Sequence, residues 1–328
     1  MQSIHDHVVI LFPGALGDFV LALPALRGVR ERHAGARVTA VVSDALRSLV
    51  MVSGVADTTA SLDGAEVAWL FGGARQPPWL TPRSVVYSWL GSCAAGLAAR
   101  LETVAAGVDC FAVERGPGAQ HAAHAYTRAL GMQTGPGALA DAVRIVPPRS
   151  AAADALWTGL GTGPVGPVLA MHPGAGATAK RWGARGFAAV AAWWRRAGGI
   201  VVTITGPAES NDPPIAEGPV VRAWPLPDVA AVLARATLYL GNDSGVSHLA
   251  GAVGARGVVL FGPTDPRRWR PLGDHLVVLR ARPVGPGALS LRALSVRRVV
   301  AACRRSVTLT RGDLDTSVAG AAGRNHGR

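Results

Sequence analysis

The chain has 328 residues, 49% hydrophobic and 16% charged, with 33 Lys and Arg against 21 Asp and Glu for a net charge of +12. That length points to about two domains. The apolar fraction and the low charge content exclude a disordered chain and allow a sizeable buried core.

Residues 8–12 form a short apolar run closed by Pro13-Gly14, which predicts a buried parallel strand. A helix is expected over 19–32, with apolar positions at Val20, Leu23, Leu26 and Val29, and a strand over 37–42. Strand, turn, helix and strand make a βαβ unit, whose repetition implies a parallel α/β sheet. Further strands are expected over 67–71 and 85–88. Pro147-Pro148 reads as a linker. Beyond it the alternation restarts, with strands over 168–172, 200–205, 220–222, 238–240 and 257–261 and helices over 184–197, 229–234 and 246–253. Residues 289–305 suit a basic amphipathic helix. The chain therefore divides into 1–147, 148–288, that closing helix, and a basic tail over 306–328.

The positive charge gathers at this end. From Arg280 onward there are ten arginines and two acids, Asp313 and Asp315, so this stretch carries +8 of the total and the rest only +4. A nucleic-acid-binding domain carries its charge on its folded binding face, so no nucleic acid is expected. A basic end fits an anionic membrane or an acidic partner at least as well. Cys93, Cys110 and Cys303 are odd in number and lack CxxC or Cys/His spacing, so free thiols and no zinc site are expected. Residues 1–7 lack a basic flank and a long apolar run, and nowhere do about 18 apolar residues run unbroken. A cytoplasmic location is expected, with peripheral contact at the inner membrane face as the further option.

Five motifs carry chemistry, each just after a predicted strand, where an α/β sheet gathers its ligand contacts. Pro13-Gly14-Ala15-Leu16-Gly17-Asp18 offers two glycines for a tight turn and a carboxylate at a helix start. Asp18 is either a helix cap or a functional group facing the crevice. The loop is neither GxGxxG nor a P-loop. His172-Pro173-Gly174-Ala175-Gly176-Ala177-Thr178-Ala179-Lys180-Arg181-Trp182 is a small-residue loop ending in two cations, which suits phosphate. Lys180 is the chain's one lysine, all other basic residues being arginine, which suggests a need for a compact ammonium. In Gly241-Asn242-Asp243-Ser244-Gly245-Val246-Ser247-His248, Asp243 or Ser244 can cap a helix whose first amides, from Ser244 to Val246, hold a diphosphate. His248 can donate to an oxygen or pack inside. Glu209 in Gly206-Pro207-Ala208-Glu209 can accept from a ribose diol, or simply sit in a first helical turn. Phe261-Gly262-Pro263-Thr264-Asp265-Pro266 reads first as a turn that shapes the site.

Together these residues resemble glycosyltransferase family 9, the ADP-heptose:lipopolysaccharide heptosyltransferases. The shared elements are the GxLGD-type loop at 14–18, Lys180-x-Trp182, Gly206-x-x-Glu209, the Asp243-Ser244-Gly245-x-x-His248 loop and Phe261-Gly262-Pro263-Thr264. The match is fullest over 168–272 and thinner in the first half beyond 45. The resemblance implies a GT-B fold, two Rossmann-like domains facing across a cleft, with the last helix crossing back to the first domain. It implies inversion at the anomeric carbon without metal or cofactor. Asp18 would be the base on the acceptor hydroxyl and Lys180 would neutralise the leaving diphosphate. Glu209 would hold the ribose. Asp243, Ser244, Gly245, Val246 and His248 would hold the diphosphate and sugar, with Gly174 and Ala175 lining the phosphates. Gly14 and Gly17 would form the acceptor-side loop. The donor implied is an ADP-linked heptose, and the acceptor a lipopolysaccharide-type or other glycan. Members often carry Arg before the first loop, where Phe12-Pro13 stands here, and Pro after the Trp, where Gly183 stands. A nucleotide-sugar epimerase of similar fold and a non-catalytic nucleotide-sugar-binding protein are the alternative readings.

Overall fold

The computed structural model describes residues 6–90, 95–112, 120–161, 166–209, 214–273, 275–282 and 289–308. Cys93 and the tail beyond 308 lie outside them.

The first half contains β1 (His7–Leu11), α1 (Leu16–Arg32), β2 (Arg37–Val42), α2 (Asp44–Ser53), β3 (Thr58–Ser61), β4 (Ser84–Ser88), α3 (Ala95–Glu102) and β5 (Gly107–Cys110). Its five strands are parallel in the order β3-β2-β1-β4-β5. Three helices follow, α4 (Ala122–Ala129), α5 (Pro136–Ala142) and α6 (Ala151–Gly159), before the chain enters the second sheet. There β6 (Val168–His172), α7 (Ala184–Arg196), β7 (Ile200–Thr205), β8 (Val220–Arg222), α8 (Leu226–Arg235), β9 (Leu238–Asn242), α9 (Gly245–Ala252), β10 (Gly257–Phe261), α10 (Pro266–Trp269) and β11 (Leu276–Arg280) succeed one another. These strands are parallel in the order β11-β10-β9-β6-β7-β8. The chain closes with α11 (Val296–Thr308).

Strand alternation sorts the core into layers, because successive side chains leave opposite faces of a sheet. Val8 and Ile10 on β1, like Val168 and Ala170 on β6, enter one apolar cluster shared by both halves. Val9 and Leu11 turn instead to the outer face of the first sheet, against Trp69, Trp79 and Leu97. Leu169 and Met171 turn to the outer face of the second, against Phe187, Trp194 and Val299. The shared middle layer explains α1. Its residues Phe19 to Leu26 are buried without a break, as expected of a helix covered on all sides. One side meets α4 and another meets α9 of the second half, while α2 meets α8. The two sheets thus face each other through a packed helical layer.

Three expectations are corrected. Residues 67–71 belong to a 3₁₀ helix, Ala65–Phe71, not a strand. Val67, Trp69 and Leu70 are buried while Phe71 is 68% exposed, which strict alternation would not produce. A short apolar run cannot separate the two by pattern alone. The helix expected from 19 begins at Leu16, with Ala15 at the cap position, so Asp18 lies inside the first turn and not at the cap position itself. The closing helix was expected to cross back to the first domain. Instead Val299, Ala302, Cys303 and Val307, at helical spacing, fill the outer core of the second sheet beside Leu238, Leu240, Val258 and Leu260. The indole N–H of Trp182 fixes the approach to α11 by donating to Leu294 O at 3.0 Å.

Candidate active site

Sheet order decides which loops become neighbours. His172 on β6 lies level with Gly241 on β9, and Asn242 on β9 lies level with Leu260 on β10. The loops after β6, β9 and β10 therefore leave the sheet side by side, with the turn after β7 on the far side of β6. The β6/β9 boundary is where the strand order reverses, the crevice at which open α/β sheets bind ligands. In the first sheet Leu11 lies level with Ser88, so Phe12 and Trp89 emerge together.

Asn242, read from sequence only as one member of its loop, ties these loops. Its Oδ1 accepts from Trp182 N at 3.0 Å and its Nδ2 donates to Pro173 O at 2.7 Å. Ser247 Oγ donates to Asn242 O at 2.6 Å and meets Tyr239 OH at 2.8 Å. The amide fork was legible only as part of a glycine-rich loop, because its partners are about 60 and 70 residues away.

Lys180 and Asp243 meet on this frame, Nζ to Oδ2 at 2.9 Å, and Thr264 Oγ1 donates to the same oxygen at 2.5 Å. Asp243 is nearly fully buried while Lys180 keeps about a third of its side chain exposed, so the ammonium is reachable. Thr264, first read as a turn residue, is thus a direct partner of the Asp243 carboxylate.

Glu209 forms a second node. Arg181 Nη2 donates to its Oε1 at 3.0 Å, and Gly206 N donates to its Oε2 at 3.1 Å. The same guanidinium donates to Ala175 O through Nε and Nη2, which straps the β6 loop onto the carboxylate. Gly174 is required there: a Cβ would come within 2.7 Å of Glu209 Oε1 and 2.8 Å of His172 Cε1. His172 is buried, its Nδ1 lies 3.0 Å from Ile204 O, and burial holds its pKa below the usual value. Glu209 borders a cavity of about 320 Å³ also lined by Thr178, Trp182, Thr203 and Arg222.

The α9 end of the site departs from simple capping. Ser244 occupies the cap position, yet its side chain makes no cap bond and its Oγ is buried without a partner. The leading amides of α9, at Gly245 and Val246, are left as the unpaired donors of a helix start. His248, one turn in, is buried with Nδ1 unpartnered. Its pKa is pushed down to about 4, first by burial and then by the nearby charges of His121 and Lys180, against the opposing pull of Asp243. The ring is therefore neutral near pH 7.

These donor-side residues reach the first half directly. A Cβ on Gly17 would approach His248 Cδ2 to 2.9 Å, so Asp18 follows a residue in contact with the His248 ring. Asp18 lines a separate cavity of about 460 Å³ with Phe12, Gly14, Trp89 and Tyr126, closed by Trp269 from the second half. Gly14 cannot carry a side chain, since a Cβ would lie 2.5 Å from the Phe12 ring and 2.8 Å from Asp18 Cβ. The 14–18 loop thus meets the start of α9 across the lobes, while Glu209 and its cavity lie on the second half alone. A cavity of about 1130 Å³ lies elsewhere: it opens at the amino ends of the first sheet's strands, around His7, Arg37 and Arg83. That is the opposite end from the motif loops.

Two parallel sheets that present the carboxyl ends of their strands to a common boundary define the GT-B class of fold. The sequence matches glycosyltransferase family 9 (heptosyltransferase) over residues 81–287, and the chain belongs to that family. A glycosyltransferase of family 9 from Veillonella parvula superposes with a TM-score of 0.74 at 20% identity, over 94% of this chain and 99% of that one. Escherichia coli ADP-heptose lps heptosyltransferase II superposes with a TM-score of 0.69 at 17% identity, over 93% of this chain and all of that one. In sequence, lipooligosaccharide heptosyltransferase 2 of Haemophilus influenzae is 36% identical over 55 residues, 17% of this chain and 16% of the relative. The aligned stretch thus spans about a sixth of that curated relative's length.

Proposed function

We propose that the protein transfers a sugar, most simply a heptose from an ADP-linked donor, to a hydroxyl of a lipopolysaccharide-type or other glycan, with inversion and without a metal. The observation that carries this reading is the juxtaposition across the interlobe contact. The helix bearing Asp18 meets, through Gly17, the ring of His248, which belongs to the same loop and helix start as Asp243, the partner of Lys180. Membership of the family and the resemblance in fold to an ADP-heptose lps heptosyltransferase support it.

Each group has a task. Glu209, already held by Arg181 and Gly206 N, keeps lone pairs for the ribose diol at the mouth of its cavity. The amides of Gly245 and Val246, with those beside Gly174 and Ala175, face the diphosphate, and His248 donates as a neutral ring to a sugar or phosphate oxygen. Asp18 takes the proton of the acceptor hydroxyl as its oxygen attacks the anomeric carbon from the face opposite the phosphate. The bond from that carbon to the phosphate oxygen breaks, and the electron pair leaves on ADP. Lys180 turns from Asp243 toward the growing charge and stabilises it more in the transition state than in the ground state. This cation takes the role a metal would otherwise serve.

The test is transfer itself. Full-length protein with ADP-heptose and a truncated lipopolysaccharide should release ADP and extend the glycan, and Asp18→Asn should abolish extension while calorimetry still shows donor binding. Loss of donor affinity in that variant makes Asp18 a binding residue. Epimerised donor in the absence of any acceptor overturns the transferase reading.

A further inference from the structure

One carboxylate oxygen beside the start of α9 is shared by two hydrogen-bond donors of unequal mobility. Oδ2 of Asp243 accepts from Thr264 Oγ1 at 2.5 Å and meets Lys180 Nζ at 2.9 Å. Among the described residues these are the two side chains bonded to that carboxylate. Asp243 itself is fixed. Only 4% of its side chain is exposed, and its amide donates to Leu260 O at 3.0 Å, which ties it to β10. Thr264 follows the same strand through Phe261-Gly262-Pro263, and the next residue, Asp265, caps α10 by accepting from Arg267 N. Its hydroxyl is therefore presented from a short segment held at both ends, on a β-branched side chain with few rotamers. Lys180 is the opposite case. It ends a 3₁₀ turn, Thr178–Lys180, and reaches Asp243 on a flexible four-carbon stem that is 31% exposed. The β10 loop lies against this turn: a Cβ on Gly262 would come within 3.4 Å of Ala179 O.

This sharing matters once a diphosphate is bound. The amides of Gly245 and Val246, which begin α9, follow Asp243 by two and three residues. A buried carboxylate that close to phosphate charge is unfavourable unless it is neutralised. With Lys180 in place it is neutralised. When the ammonium turns to the leaving phosphate, the carboxylate loses its counter-charge as negative charge grows beside it. Taking one partner out of a buried pair is the strongly destabilising case. What remains is the Thr264 hydroxyl. A hydroxyl that donates to an ionised oxygen forms one of the stronger classes of hydrogen bond, and here it strengthens further once it no longer shares that oxygen with an ammonium.

We propose that Thr264 is a positioning residue for the transfer step: by holding Asp243 Oδ2 from the β10 loop, it lets Lys180 leave the carboxylate for the departing diphosphate. This rests on the reading of Lys180 as the cation that stabilises the leaving group. Thr264 needs no contact with the reacting atoms, because it acts through Asp243. Its bond to Oδ2 is stronger with Lys180 away than with Lys180 present. It therefore favours the transition state over the ground state, which is the condition for raising kcat and not merely affinity.

Thr264→Val keeps the branched shape and removes the donor. In transfer assays on the full chain with ADP-heptose and a truncated lipopolysaccharide, kcat should fall about tenfold, the lower end of what a hydrogen bond to a charged group carries, with the donor KM within about twofold. Thr264→Ser keeps the hydroxyl and should restore most of kcat. A second readout needs no turnover. Lys180 is the chain's one lysine, so its acetylation by an N-hydroxysuccinimide ester is read on a single peptide by mass spectrometry, with the N-terminal amine of the same sample as reference. Thr264→Val leaves the carboxylate to Lys180 alone and should slow that acetylation about three- to tenfold, whereas Thr264→Ser should not and Asp243→Asn should speed it. Acetylation of Thr264→Val at the unaltered rate overturns the proposal, as does failure of Thr264→Ser to restore kcat. So does an equal fall in kcat when Thr264→Val is added to Lys180→Ala, since Thr264 would then act without the lysine. No transfer by the unaltered chain overturns the transferase reading and this proposal together, whereas slowed acetylation with an unchanged kcat overturns this proposal alone.

Discussion

Gly17 and Gly245 are packed so closely that neither tolerates a side chain. A Cβ on Gly245 would lie 2.8 Å from Leu16 Cβ and 3.2 Å from Gly17 N, and one on Gly17 would lie 2.9 Å from His248 Cδ2. The starts of α1 and α9, one from each lobe, are thereby brought into backbone contact.

Gly245→Ala should therefore push the lobes apart where the proposed base and the donor loop meet. An overpacked contact costs about 1–3 kcal/mol, read as a lower melting temperature. Transfer should fall more than stability does, because the reacting groups lose their alignment. Gly96→Ala, in α3 with nothing within 4 Å of the added methyl, is the control and should be neutral or slightly stabilising. Equal effects from the two substitutions would show that the close contact has no special importance.

Lys180 and Asp243 form a pair in which the carboxylate is the buried partner. Lys180→Ala leaves that carboxylate with Thr264 alone among its side-chain partners in the ion pair, and should cost about 1–3 kcal/mol in stability. The proposed role adds a second effect: about 10²–10³ lost in kcat, comparable to removing one preorganised donor. Lys180→Arg should not restore it, since the planar guanidinium cannot swing as a point charge between Asp243 and a phosphate. A double-mutant cycle with Asp243→Asn, followed by urea denaturation and by ADP release, separates the pair's contribution to folding from its contribution to turnover.

How much of this was legible in the sequence follows from burial. Strands 168–172, 200–205 and 257–261 were readable to the residue, because β6, β7 and β10 are buried on both faces and appear as short, mainly apolar and β-branched runs bounded by glycines and prolines. β3 reads Thr-Thr-Ala-Ser and β5 Gly-Val-Asp-Cys, both half-covered edge strands without such a run, and neither was seen. The site motifs were legible because each ends a buried strand. What joins them was not. Asn242, Arg181 and Thr264 act through partners far along the chain, and a sequence pattern carries no distances. The apolar stripe of α11 was visible, but a stripe does not say which sheet it covers. The GxLGD-type loop showed glycines without showing that one of them admits a second helix.

The buried imidazoles predict a pH dependence. The pKa of His248 falls from 6.5 to about 4 on folding, and burial lowers that of His172 as well. Between pH 4 and 6.5 the unfolded chain binds protons that the folded chain refuses, so stability is complete above about pH 6.5 and declines as pH falls. His248 alone contributes a loss of about 3 kcal/mol across that window. Urea midpoints measured from pH 7.5 to 4.5 should fall steadily, and His248→Gln should flatten the slope without abolishing it, because His172 remains. A slope unchanged in that variant would mean that the ring is not held neutral in the fold.

The outer face of α11 bears on where the protein works. Among the described residues no helix is long and apolar enough to cross a membrane. Arg297, Arg304 and Arg305 are exposed on α11, and Arg195 and Arg196 end the neighbouring α7. Arg195 pairs with Glu217, and Arg304 lies 5.7 Å from the Trp193 ring centre, so part of this charge is engaged locally. We propose that the remainder gives peripheral contact with an anionic membrane, where a lipid-linked acceptor would lie. Each basic residue near such a surface contributes about 1 kcal/mol. Replacing Arg297 and Arg305 together by Gln should then reduce co-flotation with phosphatidylglycerol vesicles about thirtyfold at low salt. Because these arginines cover none of the core, the melting temperature and transfer to a soluble acceptor should stay unchanged. Flotation equal to that of the unaltered chain, or equal binding to neutral vesicles, would make the arginine face a solvated surface with no lipid role.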